Sequence, residues 1–211
     1  MHKAILTIVF GLSGPVAAEP VVIAAMGDSL THGYGLAQGD GFVPQLEAWL
    51  GRQGEDVKLI NAGVSGDTTA GGLSRVAWTL TEDVDAMIVT LGGNDLLRGI
   101  SPNTSRANLQ GILMAAKDAD VKVLLVGMEA PGNFGPEYKS EFDSIYPDLS
   151  MAFGTLYLDS FFAGLGGRGV DPSSIQNMMQ ADGIHPNAEG VVKIVEGFGP
   201  IVMELIDAAQ E

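Results

Sequence analysis

A serine hydroxyl is a poor nucleophile until a neighbouring base takes its proton, and this chain offers few bases. It has no cysteine and only three histidines, His2, His32 and His185. His185 has an acid three positions earlier, in Asp182-Gly183-Ile184-His185-Pro186. That spacing lets the Asp182 carboxylate reach the imidazole Nδ1–H, fix the tautomer and stabilise the imidazolium. His32 follows Ser29 too closely to have an orienting acid of its own, so it reads as a rim or surface residue. Ser29, in Gly27-Asp28-Ser29-Leu30, is the candidate nucleophile. Acyl transfer also needs donors for the developing oxyanion. The Ser29 N–H is one. Gly66 lacks a Cβ, so its N–H can approach closely. Asn94 follows Gly92-Gly93 and can supply a side-chain N–H. Taken singly, the glycines are ordinary turn residues and Asn94 an ordinary helix cap; their joint placement in strand-end loops points to catalysis.

The elements that must bring these residues together alternate between strand-like and helix-like. Short apolar runs over Val21–Met26, Val57–Ile60, Ala86–Leu91, Val121–Val126 and Thr155–Leu158 read as strands. Between and after them, Phe42–Arg52, Thr69–Leu80, Asn103–Ala119, Tyr138–Phe153 and Ala188–Ala209 read as helices. Pro147 is expected to interrupt or kink the fourth of these, and Gly197–Pro200 to bend the last. Alternating β and α segments imply an α/β domain with a parallel sheet between helices. In such a sheet functional groups gather outside the carboxyl ends of the strands, and Gly27–Leu30, Asn61–Thr68 and Gly92–Asp95 all fall there.

Eleven Lys+Arg against 26 Asp+Glu give a net charge of −15. That balance excludes nucleic acid as a partner, because phosphate binding needs clustered cations, and disfavours anionic lipid. The lack of cysteine excludes disulfides, thiol catalysis and iron–sulfur clusters. Met1-His2-Lys3, the apolar run Ala4–Leu12 and Val16-Ala17-Ala18 have the form of a secretory signal peptide cleaved after Ala18. Residues 19–211 are then one periplasmic or secreted domain without a stable membrane anchor, and monomeric.

Several blocks in order resemble the SGNH hydrolases, the GDSL esterase/lipase family, and most closely its bacterial periplasmic acyl-CoA thioesterase I, lysophospholipase and arylesterase group. They are Met26-Gly-Asp-Ser-Leu-Thr-His-Gly-Tyr34, Ser65-Gly-Asp-Thr68, Leu91-Gly-Gly-Asn-Asp95 with Leu97-Arg98-Gly99, Asn133-Phe-Gly135, Ile145-Tyr-Pro147 and Asp182-Gly-Ile-His-Pro-Asn187. The resemblance implies a flavodoxin-like three-layer αβα sandwich with five parallel strands in the order 2-1-3-4-5. It implies Ser29 as nucleophile, His185 as base, Asp182 as orienting acid, and Ser29 N–H, Gly66 N–H and Asn94 Nδ2 as oxyanion hole. Gly63 also follows the second strand, but the family places its glycine in Ser-Gly-Asp-Thr. The resemblance further implies that Leu96, Leu97 and Ile100 border the acyl site, with Ala130 and Phe134 opposite.

The expected activity is hydrolysis of carboxylic esters and thioesters (aryl or alkyl esters, acyl-CoA, lysophospholipid) through an acyl-enzyme, with no cofactor and no metal. A carbohydrate acetylesterase is the alternative within the family, and a non-catalytic binding protein on the same fold is the alternative outside enzymes. Gly164-Leu165-Gly166-Gly167-Arg168-Gly169 fits G-x-G-x-x-G, but Val170-Asp171-Pro172 follows at once where a dinucleotide site needs a helix, so it reads as a loop.

Overall fold

Strand β1 (Val21–Gly27) is buried along its whole length, as is β3 (Ala86–Thr90), which is the mark of strands covered on both faces. In the computed structural model, which describes residues 19–211, these two run side by side at the centre of a parallel sheet with order β2-β1-β3-β4-β5. The others are β2 (Val57–Gly63), β4 (Lys122–Val126) and β5 (Leu156–Leu158). The proposed leader, residues 1–18, lies outside the described residues.

Between β1 and β2 lie α1 (Ser29–His32) and α2 (Phe42–Gln53); α3 (Thr69–Thr79) leads into β3. Then come α4 (Gly93–Leu97), α5 (Pro102–Asp118), β4, α6 (Pro136–Asp143), α7 (Ile145–Phe153), β5 and α8 (Ala188–Ala209). The chain steps outward from β1 to β2 and then back across the sheet. Right-handed crossovers therefore put α2 on one face and α3, α5 and α7 on the other. Helix α8 returns to pack on α2, and α3 packs on α5. Inward-facing Val191, Ile194, Val195, Phe198, Val202, Leu205 and Ile206 give α8 a continuous apolar stripe. Phe198 meets Phe42 of α2 edge-on, with ring centroids 4.8 Å apart.

Three boundaries differ from the sequence reading. Strand β2 continues through Asn61-Ala62-Gly63, which lack an apolar pattern but pair with Ala25, Met26 and Gly27 of β1. The helical stretch after β4 breaks at Ser144, with Pro147 in the first turn of α7, where its missing N–H has no helical carbonyl to meet. Helix α8 runs unbroken through Pro200. Among the described residues, no helix is long and apolar enough to cross a membrane.

Candidate active site

β1 ends at Gly27, and Asp28 caps the turn that follows. Its Oδ1 accepts from the Leu30 N–H at 3.0 Å. Ser29 opens that turn, so its own N–H has no intrahelical carbonyl to meet. At the other end of the chain, the loop before α8 carries Asp182 and His185. Asp182 Oδ1 accepts from the backbone N–H groups of Ile184 (2.9 Å) and His185 (3.0 Å). Its Oδ2 lies 2.8 Å from His185 Nδ1, and His185 Nε2 lies 2.8 Å from Ser29 Oγ. An ionised carboxylate can only accept. The proton therefore sits on Nδ1, and the Nε2 lone pair faces the serine hydroxyl.

The hydrogen bonds at Asp182 also set its charge. Donation from the His185 backbone, the imidazole and the Ile184 backbone, in that order, brings its carboxyl down from 3.8 to about 2. It is a full negative charge at neutral pH. The imidazole is steadied from its other side by Tyr34, whose ring centroid is 4.7 Å away at a 39° tilt. Gln180 links the two loops: its Nε2 donates to the carbonyls of Tyr34 (2.8 Å) and Pro186 (3.0 Å), and its backbone N–H to that of His185 (2.7 Å). Asn187 then caps α8 through the Gly190 N–H at 2.9 Å. Tyr34 and Gln180 were not singled out from the sequence. The block around Ser29 contains Tyr34, but nothing in the spacing ties Gln180 to it.

Asn94 stands in the first turn of α4, after β3. Its Nδ2 donates to Asp28 Oδ2 at 3.2 Å, which leaves its second N–H free of that bond. The next residue, Asp95, is fully buried and anchors α4. It accepts from the Thr69 N–H (2.9 Å), the Thr69 hydroxyl (2.6 Å) and the Ser105 hydroxyl (2.9 Å). Gly66 lies in the loop after β2 with φ +81°, a left-handed conformation open to glycine. Arg75 of α3 ties the base of that loop to the sheet, through Asp67 Oδ2 (2.7 Å) and the carbonyls of Ala62 (2.8 Å) and Gly27 (3.0 Å). His32 is exposed at the rim, its Nδ1 3.3 Å from Ser65 Oγ. Gly63 packs its backbone against that of His32.

Ser29, Gly66, Asn94 and His185 all line one cavity of about 850 Å³, large for a small-molecule site. Its walls are mostly apolar and include Leu96, Leu97, Met128, Ala130, Phe134 and Phe162. Leu97 is 66% exposed, whereas Leu96 and Ala130 are buried. The two flanking loops touch, since a Cβ on Gly99 would meet the Phe134 ring at 3.1 Å. Ile100, expected among the lining residues, is not one of them. Its carbonyl accepts from the Tyr138 hydroxyl at 2.8 Å, which ties the end of that loop to α6. The glycine-rich segment opens no α-helix, only a short 3-10 stretch over Pro172–Met178 that follows it; it contributes Gly167, Gly169 and Val170 to the far wall.

The GDSL-like lipase/acylhydrolase family profile matches residues 25–192. Esterase TesA of Pseudomonas aeruginosa is 36% identical over 196 residues, covering 92% of this chain and 93% of the relative. The thioesterase 1/protease 1/lysophospholipase L1 of Escherichia coli is 30% identical over 208 residues, covering 98% and 94%. Among solved structures, AlinE4, an SGNH-hydrolase family esterase, superposes with a TM-score of 0.72 at 41% identity, covering 90% of this chain and 98% of that one.

Proposed function

Because this chain belongs to the GDSL-like lipase/acylhydrolase family and is a hydrolase of the esterase class, we propose that it cleaves carboxylic esters and thioesters through an acyl-enzyme on Ser29. The observation that carries the reading is the unbroken line from Asp182 through His185 to Ser29, with both links at 2.8 Å.

In the first half-reaction His185 Nε2 takes the Ser29 proton as Oγ attacks the carbonyl carbon. The carbonyl oxygen becomes an oxyanion and is met by the Ser29 N–H, the Gly66 N–H and the free N–H of Asn94. Asp182 stays ionised and stabilises the imidazolium. His185 then returns the proton to the departing alkoxide or thiolate, and the C–O or C–S bond breaks to leave an acyl ester on Ser29. In the second half-reaction a water gives its proton to His185 and attacks the same carbon. Ser29 leaves with that proton, and the acid is released.

The apolar walls support an acyl chain as the group held in the cavity, each fully buried methylene contributing about 0.8 kcal/mol. A polar sugar would find Ser65, Glu129, Asn133, Lys139 and Ser160 there, but the larger share of the wall is apolar, so a carbohydrate acetylesterase is the weaker reading. The intact Ser–His–Asp line speaks against a non-catalytic binding protein. Every group in the scheme comes from one chain, consistent with action as a monomer on a small-molecule substrate. The leader-like sequence of residues 1–18 supports export as part of this reading, and N-terminal sequencing of periplasmic protein, expected to begin at Glu19, tests it.

The test of function is a panel of p-nitrophenyl esters from acetyl to palmitoyl, with palmitoyl-CoA and lysophosphatidylcholine, run on the wild type and Ser29→Ala. The reading requires turnover by the former and its loss in the latter. Equal turnover by both removes it.

A further inference from the structure

The loop that carries Gly66 is anchored at its base by Arg75 and closed by a turn in which the Asp67 N–H donates to the Val64 carbonyl at 3.0 Å. A Cβ at Gly66 would find a single neighbour within 4 Å, the Nη2 of Arg98 at 3.8 Å. That same Nη2 donates to the Gly66 carbonyl at 2.8 Å. Arg98 closes the helix that carries Asn94, and its backbone N–H donates to the Asn94 carbonyl at 3.2 Å. Gly66 and Asn94 come from loops after different strands, and Arg98 touches both.

Arg75, Arg106, Lys139 and Lys193 each pair with a carboxylate, whereas Arg98 makes no ion pair among the described residues. Arg52, Lys58, Lys117, Lys122 and Arg168 make none either, so what distinguishes Arg98 is the carbonyl it binds, that of Gly66.

We propose that Arg98 is a positioning residue for the oxyanion hole: by holding the Gly66 carbonyl it anchors this residue, and through its Cα the preceding Ser65–Gly66 peptide that carries the N–H, against the turn bearing Asn94, so that two donors from separate loops stay aimed at one point. The proposal rests on the esterase reading above, in which both N–H groups receive the oxyanion. A donor aimed at charge that develops only in the transition state acts on kcat rather than on substrate binding. Arg98 does not touch the reacting atoms, so its loss loosens one donor without removing it.

The experiment compares wild type, Arg98→Met and Arg98→Lys on p-nitrophenyl butyrate, whose leaving group offers an arginine no anionic substituent beyond the phenolate being formed. Arg98→Met should lower kcat about tenfold, less than the 10²–10³ that deleting a donor costs, with KM within about twofold. Arg98→Lys keeps one cationic donor and should fall between the two. The thermal midpoint of all three should agree, since the side chain is exposed and buries nothing. In an Asn94→Ala background the Arg98→Met loss should shrink, because only one of the two coupled donors remains. An unchanged kcat in Arg98→Met overturns the proposal, as does a loss confined to KM, which would make Arg98 a substrate contact. Ser29→Ala in the same assay separates the two failures. If it is dead while Arg98→Met has full kcat, the positioning role alone is wrong. If it is active, the esterase reading itself has failed.

Discussion

Asp28 Oδ2 accepts from Asn94 Nδ2 at 3.2 Å, while its other oxygen caps the turn that presents Ser29. One buried carboxylate thus holds both the turn of the proposed nucleophile and the proposed oxyanion donor. Asp28→Asn keeps a single carbonyl oxygen and sets an amide against the Asn94 amide. The expected outcome is a folded protein with kcat lower by about tenfold or more, of the order set by disturbing one oxyanion donor. Steady-state kinetics beside a thermal melt checks it; an unchanged kcat would mean that Asn94 needs no anchor.

Ser29→Ala should fold as the wild type does and lose activity by about 10⁶-fold, the scale seen when a nucleophile of this kind is removed. An alkyl phosphonate should add one adduct to the wild type, on Ser29, and none to the variant. Intact mass spectrometry reads both.

Asn94→Ala should lower kcat by about 10²–10³ with a smaller change in KM, because the freed N–H meets charge that exists only in the transition state. A raised KM at constant kcat would make Asn94 a substrate-binding residue instead.

Asp28 and Asp182 move stability in opposite directions with pH. Asp182 is held at about 2 by the hydrogen bonds it accepts, against an ordinary 3.8, so its contribution is present above about pH 4 and fades as pH falls towards 2. Burial pushes Asp28 up to about 6 from 3.8, against the hydrogen bonds from Leu30 and Asn94, so ionising it in the folded protein costs stability above that pH and nothing below about 4. Melts from pH 2 to 7 should therefore show the Asp182→Asn deficit vanishing towards pH 2. Asp28→Asn should gain on the wild type as pH rises from 4 to 6. Parallel curves for either variant would contradict the assignment.

Leu97, mostly exposed, lines the cavity, as does Phe134, whose ring lies against Gly99. Leu97→Ser should lower kcat/KM for octanoyl esters by roughly fivefold or more and leave acetyl esters nearly unchanged, because only the longer chain reaches far enough to bury methylenes there. Ile100→Ser lies off the cavity and should change both chain lengths equally. Equal losses for Leu97→Ser would assign the leucine to packing of the loop.

The sheet was legible because its strands read as apolar runs, the central β1 and β3 being buried throughout; the ends of β1, β3, β4 and β5 moved by one residue, β2 gained three, and the helical stretch after β4 broke at Ser144. The approach of Asp182 to His185 was legible from local spacing, and the approach of Ser29 to them from the parallel topology. The supporting contacts were not. Asp28 to Asn94, Gln180 to Tyr34 and Arg98 to Gly66 join residues 66, 146 and 32 positions apart. Asp28 and Asn94 are also of types common in loops and caps. Asp95 looked like part of a turn after Gly92-Gly93, and its three donors come from α3 and α5. Ile100 was misplaced because an aliphatic residue in a loop carries no sign of which way it faces.

Ser29 and His185 meet across 156 positions, the hydroxyl on the first strand's exit and the imidazole just before the last helix. The proposed nucleophile thus depends on the far end of the chain: a chain that stops, or is still being synthesised, short of Asp182 and His185 carries a serine without its base.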